Sequence, residues 1–161
     1  VANISIEAVA QGAGVAPGTL RSWLHRGYLP RPAAWQPEDA VLVRTMAHLV
    51  ALGHAPDVAA RICDTYRREI ARAEGWLILT RGHDFGVGAD SSITRGGTLV
   101  LTRREDVSAV LARLIDAGME ACEAVVVDLR WLREKAELGL AHFQACRRPR
   151  GRPRKTSKEG E

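Results

Sequence analysis

The run Ile6-Glu7-Ala8-Val9-Ala10-Gln11-Gly12-Ala13-Gly14-Val15-Ala16-Pro17-Gly18-Thr19-Leu20-Arg21-Ser22-Trp23 holds two short apolar patterns of helical spacing with a break between them. Ile6, Val9 and Ala10 line a first helix that stops at Gly12. Leu20, Trp23 and Leu24 line a second that starts after Pro17 and ends before Gly27. Ala10 is small where two helices cross closely. Gly14, four residues later, can take the positive φ that a tight turn requires, and Val15 and Leu20 can plug the core beneath it. This is the grammar of a helix-turn-helix, which holds its second helix at an angle suited to a major groove. The plainer alternative is a structural helix pair whose polar residues are merely solvated.

Outward from this run, Pro30 and Pro32 precede Trp35-Gln36-Pro37-Glu38-Asp39, where Pro37 suits a first helical turn and the acids suit its positive end. The stripe Leu42, Met46, Leu49 and Val50 predicts a third helix ending at Gly53. Pro56 opens a fourth, with Val58, Ile62, Tyr66, Ile70 and Ala73 on one side and Gly75 closing it. Residues 1–75 thus form an all-helical unit.

The segment Ala13-Gly14-Val15-Ala16-Pro17-Gly18-Thr19-Leu20-Arg21-Ser22-Trp23-Leu24-His25-Arg26-Gly27-Tyr28-Leu29-Pro30 closely resembles the recognition segment of MerR-type regulators, and Trp35 through Gly53 is similar to that family's third helix. The resemblance implies a winged helix-turn-helix fold, dimeric DNA binding, transcriptional control and a cytoplasmic, nucleoid-associated location. By match of position, Ala16, Pro17, Gly18 and Thr19 open the recognition helix, while Arg21, Ser22, His25 and Arg26 lie along its exposed side. Arg21 and Arg26 are then candidates for phosphate contacts, Ser22 and His25 for base edges. Only four residues stand between Pro30 and Trp35, where the regulators carry a longer basic wing. Short wings of this kind also occur in MerR-like excisionases and phage packaging proteins, so a phage or plasmid accessory role is the alternative reading.

Beyond residue 75 the texture changes. Trp76-Leu77-Ile78-Leu79-Thr80 and Thr98-Leu99-Val100-Leu101-Thr102 read as strands, separated by a Gly-rich surface loop over 81–98. Thr102-Arg103-Arg104-Glu105 has capping-box spacing before the stripe Val107, Val110, Leu111, Leu114 and Ile115. After Gly118, Ala124-Val125-Val126-Val127-Asp128 has the β-branched composition of a buried strand. Helical spacing returns with Leu129, Leu132, Ala136, Leu140 and Phe143, in a helix that either packs on the sheet or pairs with a second subunit. The fold class expected is therefore α+β: a MerR-like helical unit at 1–75, a small β-β-α-β-α unit at 76–146 for dimerisation or ligand binding, and a disordered basic tail at 147–161.

The tail Arg147-Arg148-Pro149-Arg150-Gly151-Arg152-Pro153-Arg154-Lys155 resembles the AT-hook, whose core is the Pro-Arg-Gly-Arg-Pro at 149–153. Gly151 lets the backbone approach a groove floor, Arg150 and Arg152 can lie along it in opposite directions, and the prolines stiffen the segment. Narrow A·T-rich minor grooves are strongly negative and favour inserted Arg. Residues 147–161 carry a net +5 against +4 for the 161-residue chain, so the rest has a net charge of −1. A basic strip on a neutral body points to a polyanion partner. A non-specific polyanion-binding tail is the bland reading.

An apolar fraction of 46% and a charged fraction of 26% are those of a folded globular chain. No apolar run approaches the roughly 20 residues of a membrane helix, and no charged start precedes an apolar secretory segment, so no membrane partner is expected. Cys63, Cys122 and Cys146 lack metal-ligand spacing and read as buried small hydrophobes. Trp76 and Trp131 read as core or interface residues. No nucleotide loop, catalytic elbow or clustered carboxylates are found, so neither an enzyme nor a cofactor is expected. The partners expected are double-stranded DNA, A·T-rich by preference, and a second copy of the chain, with a small-molecule effector left open.

Overall fold

The computed structural model describes residues 4–73, 75–81, 98–101, 107–109, 112 and 123–146. The Gly-rich stretch 82–97, the capping box at 102–105, Cys122 and the AT-hook residues Arg147 to Lys155 lie outside the described residues. The chain mixes helices with a small antiparallel sheet: α1 (Ile6–Ala13), α2 (Pro17–His25), α3 (Pro37–Ala51), α4 (Pro56–Thr65), α5 (Arg67–Arg72), β1 (Trp76–Arg81), β2 (Thr98–Leu101), β3 (Glu123–Asp128) and α6 (Leu129–Cys146). Residues 107–109 and 112, behind the expected capping box, are helical.

Local chemistry explains where the first helices begin and end. Ser5 caps α1, its Oγ accepting from the Ala8 N–H at 3.2 Å. The helix runs one residue beyond the expected stop at Gly12, because Gly14 is the residue that turns left-handed, at φ 71°. There the Gly14 N–H donates to Gln11 O at 3.1 Å and the Val15 N–H to Ala10 O at 3.0 Å, which is the Schellman pairing. The same pair of bonds ends α2 at Gly27 and α3 at Gly53. Asp39 Oδ2 accepts from the Gln36 N–H at 2.9 Å and fastens the start of α3.

The fourth helix departs from expectation, since α4 and α5 are separate elements that break at Tyr66 (φ −107°, ψ 26°). The Thr65 hydroxyl donates to Arg61 O at 2.8 Å, a back-bond of the kind that bends helices. The helix also ends earlier than Gly75, at Ala73, which is left-handed with φ 50°.

The sheet has the order β2-β1-β3, with both pairings antiparallel. Leu77 and Leu79, with Val125 and Val127 opposite them, face the helices; Ile78 and Val126 point the other way. The expectation of a wholly buried β3 is corrected here. Val127 is buried but Val126 is 41% exposed, because the chain alternates faces and only one face of β3 meets the helical core.

Asp128 ends β3 and starts α6 with no intervening loop. Its Oδ1 accepts from the Arg130 N–H at 2.9 Å and the Trp131 N–H at 3.2 Å, capping the helix. Leu129, Leu132, Ala136 and Leu140 form the buried stripe of α6, which lies chiefly on α1 and then on α3. These residues, the inward sheet residues and α1 to α5 contribute to one contiguous core that includes Val9, Leu20, Met46, Leu49 and Ile70.

The crossing of α1 and α6 is unusually close. A Cβ at Gly139 would stand 2.6 Å from Gln11 O and 2.9 Å from Gly12 Cα, and one at Gly12 would meet Leu140 Cγ at 2.9 Å. Two glycines facing each other let the backbones touch. Arg44 ties the same junction, its Nη1 donating to Gly12 O at 2.9 Å and lying 3.5 Å from Lys135 O. Arg133 similarly donates to Ala71 O at 2.7 Å, near the end of α5.

Candidate nucleic-acid interface

Helix α2 emerges from the Gly14 turn with Pro17 in its first turn, and Ala16 O accepts from the Thr19 and Leu20 N–H groups at 2.9 and 3.2 Å. Leu20 and Trp23 are buried, which fixes the rotation of the helix about its axis. The opposite side carries Ala16, Gly18, Thr19, Arg21, Ser22, His25 and Arg26, all exposed, while Pro17 is half-buried. The recognition-helix residues singled out in the sequence therefore share one surface. A Cβ at Gly18 would meet nothing within 4 Å, so the opening turn of that surface faces open space.

Arg21 carries a partner that its sequence neighbours do not announce. Its Nη2 lies 2.7 Å from Glu7 Oε1, tying α2 to the first turn of α1. A hydrogen bond from its own backbone N–H, then Ser5 and the Arg21 charge, hold the Glu7 carboxyl below its ordinary value. Both side chains are about half exposed (57% and 43%), so a phosphate can compete for the guanidinium. Among the described residues Arg26 has no ion-pair partner and is the readier cation of the two.

The chain that follows α2 makes one isolated antiparallel bridge, Ile4 to Trp35, with the Ile4 N–H donating to Trp35 O at 3.1 Å. Residues 27–30 and α4, with Leu42 and Arg67, line a groove of about 660 Å³. Its lining includes Asp57, Arg61, Asp64 and Arg67, which pair across one helical turn as Arg61–Asp57 (3.9 Å) and Arg67–Asp64 (3.5 Å). Cys63 also lines it, with a thiol that burial pushes up to about 12. That cysteine is a buried small residue, as expected. Cys146 is not: it is exposed at the last turn of α6, with Sγ 3.6 Å from His142 Nε2.

The chain matches no protein-family model and no curated protein sequence. The exposed side of α2 and its neighbours must therefore be judged on their own chemistry. Among the described residues no helix is long and apolar enough to cross a membrane.

Sequence reasoning missed a second set of residues, on the other side of the Gly14 turn. Arg44 and His48 of α3 and Trp131 of α6 line a recess of about 180 Å³ with Ala13, Gly14, Ala47 and Leu132. The His48 and Trp131 rings meet edge to face at 5.9 Å, and Lys135 Nζ stands 5.8 Å from the Trp131 ring centroid. Trp131, expected in a core or interface, is 45% exposed. Burial first and the Arg44 charge second hold the His48 imidazole below its ordinary value. The one signal available in the sequence was the Arg44, His48 spacing of one helical turn, which is too common to single out.

Proposed function

We propose that this chain binds double-stranded DNA through α2 in the major groove, as a MerR-like transcriptional regulator or DNA-organising protein of the nucleoid. The observation that carries the reading is the pairing of a buried stripe, Leu20 and Trp23, with an unobstructed polar face of Gly18, Thr19, Arg21, Ser22, His25 and Arg26. A helix fixed by one side and bare on the other is what groove entry requires. Arg26 and, by exchange with Glu7, Arg21 supply phosphate contacts; Ser22 and His25 supply hydrogen bonds to base edges. The Pro149-Arg150-Gly151-Arg152-Pro153 tail adds a second contact in A·T-rich minor groove, and the tethering of two weak sites raises overall affinity. Binding as a homodimer belongs to the same proposal.

The short connection after α2, with its single Ile4–Trp35 bridge, favours one other reading. A protein without a long basic wing has lost a contact used by promoter switches, and an excisionase or packaging accessory of a phage or plasmid manages without it.

The test is binding of the full chain to A·T-rich and G·C-rich duplexes, with footprinting. Replacing Arg150 and Arg152 by Ala weakens A·T-rich binding much more than G·C-rich binding. Ser22→Ala and His25→Ala change the preferred sequence, and Arg26→Ala lowers affinity for all sequences and flattens the salt dependence. Identical footprints and affinities in every variant would remove the assignment. Occupancy of one attachment or packaging site, in place of many A·T-rich sites, would favour the second reading.

A further inference from the structure

The recess beside the Gly14 turn brings together two positive charges, Arg44 and Lys135, and a His48 ring whose charging is disfavoured. Arg44, His48, Gly14, Trp131 and Leu132 line it, among the described residues no carboxylate belongs to its lining, and Lys135 stands at its rim over Trp131. Among the described residues Arg44 and Lys135 form no ion pair, whereas Arg21, Arg61, Arg67 and Arg133 all do. The partners of Arg44 are main-chain carbonyls, and its Nε is buried with no hydrogen-bond partner. With Nη1 held by two carbonyls and Nε closed off, Nη2 is the nitrogen of Arg44 that among the described residues is left to meet an anion.

The negative end of α1 borders the recess at Ala13 and Gly14, where its carbonyls are engaged by donors of the chain. Ala10 O accepts from Val15, Gln11 O from Gly14 and Gly12 O from Arg44, so these three terminal carbonyls already have donors when an anion arrives. The recess is smaller than the roughly 300 Å³ at which pockets for drug-sized molecules begin. Its size and donor set fit one tetrahedral oxyanion, with Arg44 Nη2 as the charged donor and His48 and Lys135 flanking.

We propose that the recess formed by Arg44, His48, Trp131 and Lys135 binds a phosphate group. The source is either a free monophosphate or a backbone phosphate of DNA lying against the turn that leads into α2; the second source rests on the DNA-binding reading above. Arg44→Ala is a poor probe alone, because Arg44 also ties α1 to α6. The double variant His48→Ala/Lys135→Ala leaves both Arg44 hydrogen bonds in place, and circular dichroism checks that it folds.

The experiment pairs calorimetric titration of the full chain with inorganic phosphate against measurement of duplex affinity over a salt series, for wild type and the double variant. Loss of the charge-assisted Lys135 contact weakens binding about tenfold or more, and loss of the His48 hydrogen bond adds to it. Phosphate binding by the wild type that falls by this much in the variant, with duplex affinity unchanged, assigns the site to a free anion. No phosphate binding, but a duplex affinity that falls with a salt slope smaller by about one, for the lost Lys135 charge, assigns it to the DNA backbone. Unchanged behaviour in both arms overturns the site, and it does so independently of α2 if Arg26→Ala still weakens duplex binding. A wild type that binds phosphate but no duplex keeps the site and sinks the DNA-binding reading.

Discussion

Gly139→Ala puts one methyl group into the α1–α6 crossing. On the present backbone that carbon would lie 2.6 Å from Gln11 O and 2.9 Å from Gly12 Cα, whereas ordinary contact starts near 3.4 Å. The obstacles are main-chain atoms, which cannot rotate aside, so the helices must part by about 0.8 Å, the difference between 3.4 and 2.6 Å. Overpacking of this kind costs about 1–3 kcal/mol. Against it, alanine in a helix interior is favoured over glycine by about 1 kcal/mol.

Gly18→Ala supplies the control, being also a helical glycine but with nothing within 4 Å of its Cβ. Comparing the two largely cancels the propensity gain, so the variants should differ by about 1–3 kcal/mol, with Gly139→Ala the less stable. For a chain of this size each kcal/mol moves the midpoint by roughly 2–4 °C. Urea and thermal unfolding of the two variants, followed by circular dichroism, measure it. If Gly139→Ala proves as stable as Gly18→Ala, the close crossing is wrong.

Glu7→Gln breaks the ion pair with Arg21, which is exposed on both sides and worth no more than about 1 kcal/mol; stability should barely change while duplex affinity rises, most at low salt. A fall in affinity would mean that Glu7 positions Arg21 instead of competing for it. Alkylation at pH 8 should label Cys146 rapidly and leave Cys63 intact until the chain unfolds, since burial holds the Cys63 thiol at about 12; peptide mass mapping reads this, and early labelling of Cys63 would place it at the surface. A fragment ending at residue 75 loses Leu129, Leu132 and Leu140 from the core, about 5–9 kcal/mol of apolar burial. Since whole domains are stable by about 5–15 kcal/mol, it should show little cooperative unfolding by circular dichroism, and a fragment as stable as the full chain would contradict the shared core.

The first 55 residues were the most legible because their punctuation is local. Gly14, Gly27 and Gly53 each stand where a helix turns left-handed, and Pro17, Pro37 and Pro56 each stand in a first turn, so glycine and proline mark both ends of the first helices. The exposed side of α2 followed from where Leu20 and Trp23 had to go. The break at Tyr66 was hidden, because a threonine hydroxyl back-bond leaves the apolar spacing unchanged. The cap at Asp128 was readable, since an aspartate directly before a helical stripe is a start signal, although the same residue also closes the β-branched run of a strand. The Arg21–Glu7 pair and the Arg44 tie join residues on different helices, and only tertiary packing specifies such contacts.

Helix α6 shows how those hidden contacts bear on the candidate site. Its apolar stripe was plain, but stripes do not name their partners, and both a sheet and a second subunit suited it equally. The partner is settled by Gly139, which reads as a weakness inside a helix until Gly12 is placed opposite it. With the two glycines in contact, Leu140 and Ala136 of α6 and Ala40 of α3 all close on Gly12, and α1 is clamped between α3 and α6. The turn at Gly14 inherits its position from that clamp, and α2 inherits its direction from the turn. A change at residue 139, far along the chain from the exposed side of α2, therefore acts on how α2 is presented before it touches any residue of α2 itself.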